Sequence, residues 1–225
     1  MNEIEIIPAI LPKDFDEIIE KVSLVKNLAK IMQIDICDGR FVPSMTWPYE
    51  NDSGEFEKIV NEDEGMPEWE IIDYEFDLMV NNTEEIVDKW VLAGANRIVL
   101  HAEAKGDIKK AIEILKDRVE IGLALNIETP ISEIGKYEGI NFIQLMGIYK
   151  VGFQGQEFDT RVIEKVKEVK KTYSNYPVSV DGGVSFDNAL QLIESGANRL
   201  IVGSNIFESN DVSSTINKFL AINNH

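Results

Sequence analysis

Short apolar, β-branched runs alternate along the chain with longer stretches whose apolar residues recur at helical spacing. The runs that predict strands lie at 4–10, 31–36, 71–78, 97–100, 120–125, 141–146, 177–180 and 199–202. Between them, 14–29 carries Phe15, Ile18, Ile19, Val22 and Val25 on one helical stripe. The stretches 107–115, 158–171, 186–194 and 212–220 read the same way. Strands that alternate with helices form βαβ units and a parallel sheet. Eight such units in one chain predict a closed (β/α)₈ barrel, and a length of 225 residues fits a single domain of that kind spanning 1–225.

A short repeat supports the same architecture. Gly94-Ala95-Asn96-Arg97 leads into the fourth strand and Gly196-Ala197-Asn198-Arg199 into the eighth. Glycine is favoured just past a helix C-terminus, so one helix-to-strand connection is used twice. The irregular part is 47–69, an acidic insert after the second strand with a short helix expected near Phe56–Val60. It is expected on the active face, with Trp47 and Trp69 pinning it to the barrel.

Composition narrows the partners. Apolar residues make up 44% and charged residues 28%, enough for a sizeable core. A net charge of −18 excludes nucleic acid and an anionic membrane surface, both of which demand Lys and Arg. The single cysteine, Cys37, rules out an internal disulfide and fits a reducing compartment. With no signal-like N-terminus and no apolar span, a cytoplasmic location is expected.

Barrels of this kind place their chemistry at the C-terminal ends of the strands. There the chain offers Asp35, Asp38, Asp77, His101, Glu103, Asn126, Met146 and Asp181. Three glycine-bearing loops follow the last three strands: Gly152 with Gly155, Gly182 with Gly183, and Gly203 with Ser204. Each can bring backbone N–H groups close to an anion, which predicts a phosphate site. Arg40 is expected to pair with Asp38 or the insert.

The pieces resemble, in order, those of the ribulose-phosphate 3-epimerase family. They include Pro8-Ala-Ile-Leu11, Asp35-Ile-Cys-Asp38-Gly39-Arg-Phe41-Val42-Pro43 and His101-Ala-Glu103-Ala104. Further on come Asn126 with Thr129-Pro130, Gly152-Phe153 with Gly155-Gln156, Val180-Asp181-Gly182-Gly183, and Gly203-Ser204 with Ile206-Phe207. The resemblance implies a barrel of the ribulose-phosphate-binding type and inversion of C3 of a ketose phosphate such as ribulose 5-phosphate. It implies Asp35 and Asp181 as the acid and base on opposite faces of the sugar. Ala9, Cys37, Met79, His101 and Met146 would line the substrate pocket.

The chain departs from the family where a metal is held. Gln33 and Asp77 stand where the family has histidines, and Ala9 where it has a serine. Gln33, Asp35, Asp77 and Asp181 form an all-oxygen set, which suits Mg²⁺ or Mn²⁺ better than Zn²⁺. Without a metal, one carboxyl of the set would instead be protonated. Two readings follow: an epimerase acting through Asp35 and Asp181, or a repurposed barrel that only binds a phosphorylated ligand. In both the partner is a phosphorylated sugar, and a homo-oligomer is open.

Overall fold

The computed structural model describes residues 4–222, and its eight strands are all parallel and close into a barrel in chain order. They are β1 (Glu5–Ile10), β2 (Ile31–Cys37), β3 (Asp73–Met79), β4 (Ala95–His101), β5 (Glu120–Leu125), β6 (Phe142–Met146), β7 (Val178–Asp181) and β8 (Arg199–Val202). Around them lie helices α1 (Phe15–Val25), α2 (Glu55–Val60), α3 (Val87–Leu92), α4 (Ile108–Leu115), α5 (Arg161–Thr172), α6 (Phe186–Ser195), α7 (Ser204–Phe207) and α8 (Val212–Ala221). The (β/α)₈ expectation is met. No helix among the described residues is long and apolar enough to cross a membrane.

Burial on both faces explains why the strands read as near-continuous apolar runs. In β2 every residue is buried. Its outward set, Met32, Ile34 and Ile36, joins Ile18 and Val22 of α1 in the main core. Its inward set, beginning at Ile31, meets Ile7, Ala9 and Ile201 inside the barrel.

Boundaries shift where backbone N–H groups find local acceptors. Ile71 and Ile72 both donate to the Glu68 carbonyl, so β3 starts at Asp73 and not at 71. The carboxylate of Asp159 accepts from Arg161 N at 3.0 Å, so α5 begins there and not at 158. At the start of α1, Asp14 accepts from Glu17 N at 2.9 Å as the N-cap. After β5 the connection is a 3₁₀ stretch, Ile131–Lys136. Lys165 of α5 secures it, its Nζ donating to the carbonyls of Asn126, Ile127 and Thr129.

The repeated tetrapeptide does three jobs twice. Gly94 and Gly196 have φ of +92° and +111°, the left-handed turn that ends a helix. Asn96 and Asn198 each accept, through Oδ1, an N–H at the start of the preceding strand, from Tyr74 and Val178, both at 2.9 Å. Arg97 and Arg199 then turn into the N-terminal end of the barrel. There Arg97 meets Glu5 at 2.9 Å and Glu120 at 3.0 Å, while Arg199 meets Glu5 at 3.2 Å and lies over the Phe142 ring.

In the insert, Trp47 is fully buried against Phe15, Phe56 and Trp90, as expected of an anchor. Trp69 is not one. It is 64% exposed, because the turn at 68–72 carries its ring outward over Gly65.

Candidate active site

Alternation along β2 puts Gln33 and Asp35 on the inner face, and register brings the rest to them. Asp35 pairs across β2 and β3 with Asp77, and Met146 pairs across β6 and β7 with Asp181. Oxygens of Asp35, Asp77 and Asp181 all lie within 4.8 Å of one another. All three side chains are buried.

N–H groups hold the cluster together. Gln33 Nε2 donates to Asp35 at 2.7 Å and to Asp181 at 2.9 Å. Gln144 Nε2 donates to Asp77 at 2.9 Å and to Asp181 at 3.3 Å. His101 Nε2 lies 2.9 Å from the other oxygen of Asp77. Burial, then the neighbouring Asp181 and Asp77, holds the Asp35 carboxyl well above the ordinary range. Burial and Asp77 push Asp181 up to about 7, against the hydrogen bond from Gln33. Burial disfavours a charged His101, but the Asp77 carboxylate outweighs it and raises the ring's proton affinity.

Above the cluster opens a cavity of about 230 Å³. Asp35 and Asp181 form its floor, with Ala9, Met79 and Met146 among its walls. Gly152, Gly155, Gly182, Gly183, Gly203 and Ser204 line the side formed by the last three strands. Close packing demands glycine there. Gly183 has φ of +68°, and a Cβ on it would stand 2.8 Å from the Phe158 Cα.

Other expected residues lie elsewhere. Cys37 is packed with Val42 and Met79 behind the wall, where burial raises its thiol pKa, and it does not line the cavity. His101 also stays off the cavity, spent on Asp77 beneath Phe41. Asp38 accepts the N–H groups of Arg40, Phe41 and Asn81. That use of its carboxylate leaves no ion pair with Arg40 among the described residues, contrary to expectation. Glu103 accepts from Asn126 N and orders the loop after β5.

Sequence reasoning missed Gln144. Its signal was an uncharged polar residue in the middle of a buried strand, on the same face as Met146. It also missed Gln154, which reaches across the glycine side to within 3.5 Å of the Ala9 carbonyl.

Comparison with known proteins places this geometry in context. Residues 5–207 match the model of the ribulose-phosphate 3-epimerase family. The chain is 30% identical over 224 residues to ribulose-phosphate 3-epimerase of Bacillus subtilis, covering 96% of this chain and 97% of that protein. It is 31% identical to the chloroplastic enzyme of Arabidopsis thaliana, covering 96% of this chain and 75% of that one. Among solved structures it superposes on 3-hexulose-6-phosphate synthase from Salmonella typhimurium. That match has a TM-score of 0.70 and 15% identity, over 97% of this chain and 97% of the other, a likeness of fold.

Proposed function

The chain belongs to the ribulose-phosphate 3-epimerase family and is by that kinship a sugar-phosphate epimerase, and we propose that it inverts C3 of a ketose phosphate, ribulose 5-phosphate or a close relative, through Asp35 and Asp181. The observation that carries this reading is that these two carboxylates share the floor of the cavity that the glycine loops line. They come from β2 and β7, on opposite sides of β1 and β8, so a sugar seated between them has one on each face.

Inversion requires a proton to leave one face of C3 and another to arrive on the opposite face. One aspartate must therefore begin ionised and the other protonated. Burial of both, with Asp77 close by, favours that shared state, and Gln33 bridges them so that each keeps its place. The sugar's phosphate lies among Gly152, Gly155, Gly182, Gly183, Gly203 and Ser204, which front the cavity without a Lys or Arg. Met79 and Met146 supply apolar wall that limits water around the reacting carbon.

The residues fit a hard divalent cation. Three buried carboxylates face one imidazole and the N–H sides of two amides, an oxygen cluster short of positive charge. Asp35, Asp77, Asp181 and Gln33 would hold Mg²⁺ or Mn²⁺, which would offset the negative charge that grows on the sugar oxygens as C3 loses its proton.

The test is exchange of the C3 proton of ribulose 5-phosphate into D₂O, with each of Mg²⁺, Mn²⁺, Fe²⁺ and Zn²⁺ supplied. Exchange is expected, and Asp35→Asn and Asp181→Asn are each expected to slow it at least about 10²-fold. No exchange with any metal would overturn the pentose reading. A panel of other ketose phosphates would then show whether the sugar differs or the barrel only binds.

A further inference from the structure

We propose that Gln144, together with Gln33, is a metal-ligating side chain whose amide turns over when a hard divalent cation enters. The inference rests on the reading of the Asp35, Asp77 and Asp181 cluster as the working centre, and adds a residue from β6 to it.

Both glutamines are fully buried, and both aim their amides into the cluster. Each gives its Nε2 to two carboxylates, while its Oε1 has no hydrogen-bond partner. An unpartnered buried carbonyl is costly. Two of them, on amides that between them meet three carboxylates and share Asp181, are free acceptors one half-turn away from the cluster. A half-turn about the last side-chain bond exchanges the oxygen and nitrogen of an amide with almost no change of shape.

The spacing fits what such a turn would bring. The terminal atom of Gln33 lies 2.7 and 2.9 Å from oxygens of Asp35 and Asp181. That of Gln144 lies 2.9 and 3.3 Å from oxygens of Asp77 and Asp181. Adjacent ligands of an octahedral ion with bonds of about 2.0–2.1 Å stand about 2.9 Å apart, and those of Ca²⁺ stand farther apart. With oxygen in place of nitrogen, three of the four contacts, at 2.7, 2.9 and 2.9 Å, would match edges of a magnesium-sized polyhedron, and the fourth, at 3.3 Å, would have to close. His101 takes the outer oxygen of Asp77 and so directs the inner one to Gln144. In the cation-free chain the amide N–H groups bridge the carboxylates; with the cation the amide carbonyls would join them as ligands.

The experiment is calorimetric titration of the full chain with MgCl₂ and with MnCl₂, without sugar, for the wild type, Gln144→Leu, Gln144→Asn and Gln33→Leu. Each variant is first melted in EDTA to establish that it folds. The wild type is expected to bind both ions. Gln144→Leu and Gln33→Leu are each expected to weaken binding at least about tenfold. Gln144→Asn, which withdraws the amide by one carbon, serves if the leucine variant fails to fold and should weaken binding likewise. Bound Mn²⁺ should also broaden the Gln144 side-chain NH₂ resonances beyond detection. Wild-type affinity in the folded Gln144 variants would overturn the proposal, and so would a wild type that binds neither ion. Proton exchange at C3 in the presence of EDTA would leave the epimerase reading standing in that last case.

Discussion

Glu75 lies two residues before Asp77 on β3, fully buried, with neither carboxylate oxygen hydrogen-bonded among the described residues. Burial drives its pKa up to about 8, although Arg97 and Arg199 pull it down. It is therefore a neutral acid at pH 7. A carboxyl held higher in the folded than in the unfolded chain stabilises the fold while it is protonated. That contribution is complete below the unfolded value of about 4.3 and fades as pH rises through about 8. The melting temperature is expected to fall between about pH 5 and 8 and to level off above it, and Glu75→Gln to flatten that fall, as thermal melts across the range would show. Legibility at this scale followed charge. Gln33, Asp35, Asp77 and Asp181 stood out because they end strands at the mouth or replace a family residue. Gln144 bears no charge and sits among Phe142, Ile143, Leu145 and Met146, and its partners come from β3 and β7. Nothing local announces it.

Among the elements, the strands were legible because both of their faces are covered, so their apolar runs are unbroken. Their ends were not, since a boundary depends on which acceptor takes each N–H. Apolar Ile71 and Ile72 look like strand, yet their N–H groups go to Glu68. Trp69 shows the same limit: its size suggested an anchor, and the turn that carries it points it to solvent. The twice-used tetrapeptide was readable as a connection, but not as a clamp, because the acceptor role of its asparagine depends on a strand some twenty residues away. Asn198→Ala would leave the Val178 N–H without its side-chain acceptor. It is expected to cost about 1–3 kcal/mol in denaturant unfolding and to speed hydrogen exchange at Val178.

Across the whole molecule the charge of −18 works against an anionic substrate, and the cavity has no Lys or Arg to reverse the field locally. Backbone N–H groups act only at short range, so approach is opposed at distance. Screening should help. The kcat/KM for a ketose phosphate is expected to rise severalfold between about 10 and 150 mM salt, where the screening length shrinks from about 30 to 8 Å. A steady-state series in NaCl checks this, and a fall would mean that an unrecognised cation guides the phosphate. The N-terminal end of the barrel is closed by Arg97, Arg199 and their glutamates, so substrate must enter and leave by one door.

The two arginines that close that end stand four strands apart, and so do several pairs deeper in the interior. Gln33 on β2 answers Gln144 on β6, Asp77 on β3 answers Asp181 on β7, and Ala9 pairs with Gln33 as Ala124 pairs with Gln144. At these positions half the barrel is a rotated copy of the other half about the central axis. A site with that dyad intact would offer a sugar two equivalent ways to lie. The copy fails at Asp35, matched by Met146, at His101, matched by Gly203, and at Glu75, matched by Ser179. Those broken equivalences give the mouth a sense of direction, with the acid on one side and room for the phosphate on the other.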